Sequence, residues 1–162
     1  MVTTAGTKTD RSGGSSEGAA ARSVLAIDYG SKRIGLAVAD DAGGVARPLA
    51  TIARKNRRED MRRLREIVRE QGVKTIVVGH PLRLDGTRGE MAAETERFAK
   101  RLRKQIGLPV ELLDERLTSW EAEQFLSKKK GKKKHEDDEV DAVAAAVILR
   151  DYLERKKTGG RG

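Results

Sequence analysis

The chain has 162 residues, no cysteine, two histidines and a net charge of +9 from 34 Lys and Arg against 25 Asp and Glu. That length suits one domain with tails, about 150 residues being usual for a domain, and the lack of cysteine excludes disulfide frameworks, thiol nucleophiles and Cys-zinc sites. No apolar run approaches the roughly 20 residues of a membrane span and no secretory signal opens the chain, so we expect a cytoplasmic protein without a membrane partner whose basic excess favours a polyanion, nucleic acid first.

Residues 1–22 are mostly Gly, Ser, Thr and Ala. They offer nothing to bury against the entropy of ordering and read as a disordered tail, residues 155–162 as a flexible basic one, with a single folded unit over 23–154. Val24 to Asp28 is a short apolar strand closed by an acid and the Tyr29-Gly30 turn. Ile34 to Ala39 is its hairpin partner, and Arg47 to Ile52 a third strand after Gly43-Gly44. From Glu59 to Gln71, Met61, Leu64, Ile67 and Val68 recur at helical spacing until Gly72 stops the run. Lys74 to Val78 is a buried-type strand. A long helix follows from Thr87 or Gly89, with Met91, Thr95, Phe98, Leu102 and Ile106 on one face. Pro109 to Leu113 is the fifth strand. Thr118, with Glu121 as capping-box partner, opens a helix carrying Ala122, Phe125 and Leu126. Asp138 to Leu153 is the last helix, with Val140, Val143, Ala144, Val147 and Ile148 expected inward. A three-strand meander followed by βαβ crossovers predicts an α/β fold: a mixed five-stranded sheet with helices on both faces.

Carboxylates stand where three apolar elements begin or end. Asp28 closes the first strand, Asp114 and Glu115 close the fifth, and Asp141 lies in the first turn of an apolar helix. Ligands of α/β sheets gather at strand ends, and oxygen donors converging there suit Mg²⁺ or Mn²⁺. Two such ions about 4 Å apart can activate water and stabilise the leaving oxygen in phosphodiester cleavage. Asp114 and Glu115 alternate along the strand, so only one of them can enter the site.

The segments AIDYGSKRIGLAVAD (26–40), VVGHPLRLDGTRG (77–89), LLDERLTSWEAE (112–123) and DEVDAVAAAVILRDYL (138–153) together resemble the YqgF/RuvX family. Members of that family are described as pre-16S rRNA nucleases and as Holliday-junction-resolvase-like. The resemblance implies a ribonuclease H-like fold and a divalent-metal nuclease with Mg²⁺ or Mn²⁺ held by Asp28, Glu115 and Asp141 as the catalytic and metal-binding acids. His80 departs from the family, which more often has Leu there. Resolvases of this fold carry a glutamate near the end of the fourth strand. Here Val78-Gly79-His80-Pro81 has no acid, and the resemblance makes Glu115 the substitute.

Three basic clusters flank these acids: 54–74, 97–104 and the lysine run 128–134. The run lies between Glu115 and Asp141, where a mobile cationic loop can clamp phosphates without reading bases, so Lys130, Lys132 and Lys133 are candidate substrate contacts. Tyr29 is a candidate for base stacking, Lys32 is a phosphate contact in the turn after Asp28, and Arg116, Thr118 and Ser119 orient substrate beside Glu115. The amides of the turn 85–89 are a further candidate phosphate site, or simply a turn before an N-cap. The expected partners are structured RNA, above all pre-16S rRNA in a ribosome precursor, or branched DNA at a four-way junction, with the protein a monomer or homodimer. Two other readings compete. The stretch from Asp28 to Gly35 looks like the phosphate loop of sugar kinases and actin, but that fold needs a second domain. A non-catalytic RNA-binding ribosome-assembly factor would keep the same core.

Overall fold

The computed structural model describes residues 23–40, 44–83, 85–115 and 134–159. The tail 1–22, the helix expected from Thr118, and Arg116, Thr118, Ser119, Lys130, Lys132 and Lys133 lie outside the described residues. Among the described residues, five strands and three helices follow in the order β1 (Ser23–Tyr29), β2 (Arg33–Asp40), β3 (Arg47–Ala53), α1 (Arg57–Gln71), β4 (Val73–His80), α2 (Glu90–Ile106), β5 (Val110–Asp114) and α3 (Lys134–Gly159).

The strands form one sheet in the order β3-β2-β1-β4-β5. The meander pairs antiparallel, Asp28 opposite Gly35 and Ile34 opposite Ile52. The crossover strands pair parallel, Ile27 beside Val78 and Gly79 beside Leu113. Alternation along β1 sends Leu25, Ile27 and Tyr29 to one face, where they meet Leu64, Phe98 and Leu102 from α1 and α2. Val24 and Ala26 go to the other face, where they join Ala37, Ala39 and Val77 under Ala145, Ile148, Leu149 and Tyr152 of α3. Helices therefore cover both faces, as expected.

Caps set the helix ends. The Asn56 side chain accepts from the Glu59 amide at 2.8 Å, and Gly72, at φ 63°, closes α1 in the left-handed conformation that glycine adopts without steric cost. Helix α3 runs to Gly159, so residues 155–159, expected as tail, continue the helix.

The inward face of α3 also differs from expectation. Val140 and Ile148 are buried, but the rest of the buried stripe is Ala142, Ala145, Leu149 and Tyr152, while Val143, Ala144 and Val147 are only half-buried. The segment Ala142 to Leu149 is apolar on every side, so periodicity carries no rotational phase there. Shape supplies the phase: a Cβ on Gly35 would collide with the Asp141 carbonyl, and only glycine on β2 lets the helix backbone approach so closely.

Candidate active site

Asp28 occupies the α3 side of β1 because it follows Val24 and Ala26 in alternation. The same rule settles β5. Leu113 is buried under α3, so Glu115, two residues on, shares its side, and Asp114 faces the other way. The Asp28 and Glu115 carboxyls then meet across β4 in a hydrogen bond.

Gly79 makes this meeting possible. It lies on β4 between the two acids, and a Cβ there would overlap Glu115 Oε2 and approach Ile148 Cδ1. The Glu115 carboxylate fills the space that a side chain at 79 would take. An acid missing from the fourth strand and an acid gained after the fifth are thus two sides of one arrangement.

Burial, and then the nearby Asp141 charge, raise Asp28 to about 6, although its bond with Glu115 opposes this. Burial, followed by the Asp28 charge, raises Glu115 to about 8. Two carboxyls in hydrogen-bond contact cannot both ionise cheaply, so the pair retains about one proton at neutral pH.

Asp141 stands in the first half of α3 on the stripe that continues through Ala145, Ile148 and Tyr152. It is close enough for its charge to act on Asp28. Its Oδ2, however, accepts from Arg33 Nε at 2.5 Å, with both side chains partly exposed. The structure thus brings two of the three expected acids into contact and couples the third to an arginine at the start of β2. Among the described residues no group of three or more His, Cys, Asp and Glu side chains is assembled for a metal.

The donors present nevertheless fit a hard divalent cation. Asp28 and Glu115 offer oxygen alone, and they crowd negative charge that only a proton or a cation can relieve.

The substrate residues expected from sequence divide. Lys32 is exposed in the β1–β2 turn. Tyr29 is not placed for base stacking: it is 6% exposed, and its ring stacks on Phe98 with centroids 3.9 Å apart. Alternation after the inward Asp28 sends its ring into the α1 and α2 core. In the turn 85–89 the Thr87 amide already donates to Asp85 Oδ1 at 2.9 Å, so this is the turn before an N-cap, with Gly89 at the cap.

Gly35, Gly79, Arg33 and Arg54 also build the site, although no motif in the sequence marks them for it. The two glycines left one signal, since a glycine within a strand pattern marks close approach. Arg54 donates to the Gly30 and Ser31 carbonyls at 2.9 and 3.4 Å and so fastens the turn that follows Asp28. A cavity of about 410 Å³ beside Gly44 and Leu153 lies at the opposite end of the sheet and takes no part in this site.

Residues 22–155 match the RuvX family, described as Holliday junction resolvase. Relatives named "Putative pre-16S rRNA nuclease" include one from Thermosynechococcus vestitus, 42% identical over 83% of this chain and 89% of its own. Another, from Geobacillus kaustophilus, is 45% identical over 82% of this chain and 98% of its own. In fold, the chain is similar to the RuvC structure of Thermus thermophilus, with a TM-score of 0.52, 17% identity, and 82% of this chain and 95% of that one covered. A sheet of this order, with helices on both faces and acids at its strand ends, is what such a relationship requires, and the chain belongs to the RuvX family of resolvase-like nucleases.

Proposed function

We propose that this nuclease is divalent-metal-dependent and hydrolyses phosphodiester bonds at the 5′ end of pre-16S rRNA, working on ribosome precursors in the cytoplasm. The observation that carries the metal dependence is the Asp28–Glu115 pair, two half-buried carboxyls in contact at the strand ends with Asp141 beside them. The names of the relatives support rRNA as the substrate.

Asp28 and Glu115 would hold the cation, Mg²⁺ or Mn²⁺, and would give up their shared proton to do so. Asp141, which accepts from Arg33 here, would supply a further oxygen donor. A cation bound there would supply Lewis-acid activation of water and offset the phosphate's charge. Without it, the carboxylates would repel the substrate. Arg33, half-exposed beside Asp141, would present its guanidinium to a phosphate oxygen. Lys32, exposed next to it, steers the backbone toward the acids.

The family description favours a second reading, a junction resolvase acting on branched DNA. Incubation with pre-16S rRNA and with a synthetic four-way junction, each with Mg²⁺ or Mn²⁺, separates the two. Wild type should shorten the rRNA 5′ end, and EDTA, Asp28→Asn or Asp141→Asn should abolish the product. Cleavage confined to the junction would establish the second reading. Binding of RNA without cleavage under either ion would leave the non-catalytic assembly factor.

A further inference from the structure

Tyr29 follows Asp28 directly, so the end of β1 presents a carboxylate to one face of the sheet and an aromatic ring to the other. On the aromatic side Arg54, Arg57 and Arg101 line a crevice beside Tyr29 and Phe98. The Arg54 guanidinium lies 4.5 Å from the Tyr29 ring centre and that of Arg101 lies 5.9 Å from Phe98. A guanidinium held by its face over a ring leaves its N–H edge for an anion.

The charges here are out of balance. The one acid in the crevice, Asp60, is 5% exposed and already engaged, accepting from the Lys55 amide at 2.9 Å and standing 3.7 Å from Arg54 Nε. Arg57 is exposed, and Arg101 Nε is buried with no hydrogen-bond partner. A buried donor left unpaired is costly, and the one water that the crevice can hold would relay it to a phosphate oxygen on the rim.

Space decides what the ligand is. The crevice holds about 10 Å³ of free volume, room for one water and not for a base. The Tyr29–Phe98 stack is closed, its rings 12° from parallel. A ligand therefore rests on the guanidinium rim and is met through its phosphates.

We propose that Arg54, Arg57 and Arg101 form a rim that grips the sugar-phosphate backbone of the nucleic-acid substrate on the face of the sheet away from the carboxylates, without reading bases. This deepens the nuclease reading and rests on it. Arg54 couples the two faces. Its side chain holds the Gly30 and Ser31 carbonyls and its amide donates to the Lys32 carbonyl at 2.9 Å, so rim and acids share one braced turn.

The test is fluorescence anisotropy in EDTA with a labelled RNA stem bearing a single-stranded extension, in two base sequences, across a range of salt. Wild type is compared with Arg57→Ala, with Arg57→Ala/Arg101→Met, in which Met keeps an aliphatic cover over Phe98, and with Arg65→Ala/Arg69→Ala on the exposed side of α1. The rim double variant should bind about tenfold more weakly at 0.1 M salt for both sequences, its salt slope reduced by about two, and Arg57→Ala alone should reduce it by about one. The Arg65/Arg69 pair should change affinity less than threefold. Rim variants that bind like wild type, or like the Arg65/Arg69 control, overturn the rim and leave the nuclease intact. If wild type binds no RNA at low salt, the rRNA reading falls and takes the rim with it.

Discussion

Asp28 and Glu115 are acids in hydrogen-bond contact, an arrangement that needs a proton or a cation between them. Both are raised above the unfolded value near 4, so the folded state binds more protons than the unfolded state between about pH 4 and 8, and metal-free stability falls as pH rises through that window. Removing one charge should relieve the strain. Asp28→Asn, expected to abolish cleavage, should raise the metal-free Tm at pH 8 by about 2–4 °C, and by less at pH 5, in thermal melts. A lower Tm at pH 8 would mean that the pair is stabilising as it stands. Arg33 has the opposite sign. It holds Asp141 at 2.5 Å and offsets a third negative charge beside Asp28, so Arg33→Gln should lower the metal-free Tm, and Mg²⁺ should restore more stability to the variant than to wild type.

Two glycines decide how closely the elements approach. Gly35 lets the backbone of α3 rest on β2 at Asp141, and Gly79 leaves room for the Glu115 carboxylate. Gly35→Ala should cost about 1–3 kcal/mol in urea melts, as overpacking does, and reduce cleavage by moving Asp141. Gly79→Ala should affect cleavage more than stability, because what it displaces is the end of the Glu115 side chain. Equal losses of both in Gly79→Ala would show that the glycine serves packing alone. Strands and helices of this kind are legible in sequence because alternation and the 3.6-residue period reflect burial directly: β1, β2, β4, α1 and α2 lie within a few residues of their expected bounds. The rotation of α3 was not legible, since a helix apolar all round fits either way and a glycine on another strand makes the choice.

Over the whole molecule, charge is segregated. Asp28 and Glu115 point to the α3 face, while Arg54, Arg57 and Arg101 gather on the other. Much of the α1 charge is spent locally, as in Arg62, which pairs with Glu59 at 2.6 Å and Glu66 at 2.7 Å on the exposed surface, and such pairs add only tenths of a kcal/mol. Asp28 and Glu115 could be found in the sequence because each ends an apolar strand where a charge has no packing reason to be, whereas Asp141, expected in the first turn of its helix, lies two turns in, since α3 begins at Lys134. The choice of Glu115 over Asp114 follows from counting alternation back to Leu113, but only once the strand's register is known. The Arg33–Asp141 pair spans 108 positions and left no local signal.

The most direct measurement is calorimetric titration of Mn²⁺ into the protein at pH 7.5 in two buffers of different ionisation enthalpy, so that proton release is counted with affinity. Binding should release about one proton, the one shared by Asp28 and Glu115, and Glu115→Gln should abolish both the release and most of the affinity. Mn²⁺ that binds wild type and Glu115→Gln alike, with no proton released, would place the cation elsewhere and contradict the assignment of these carboxyls.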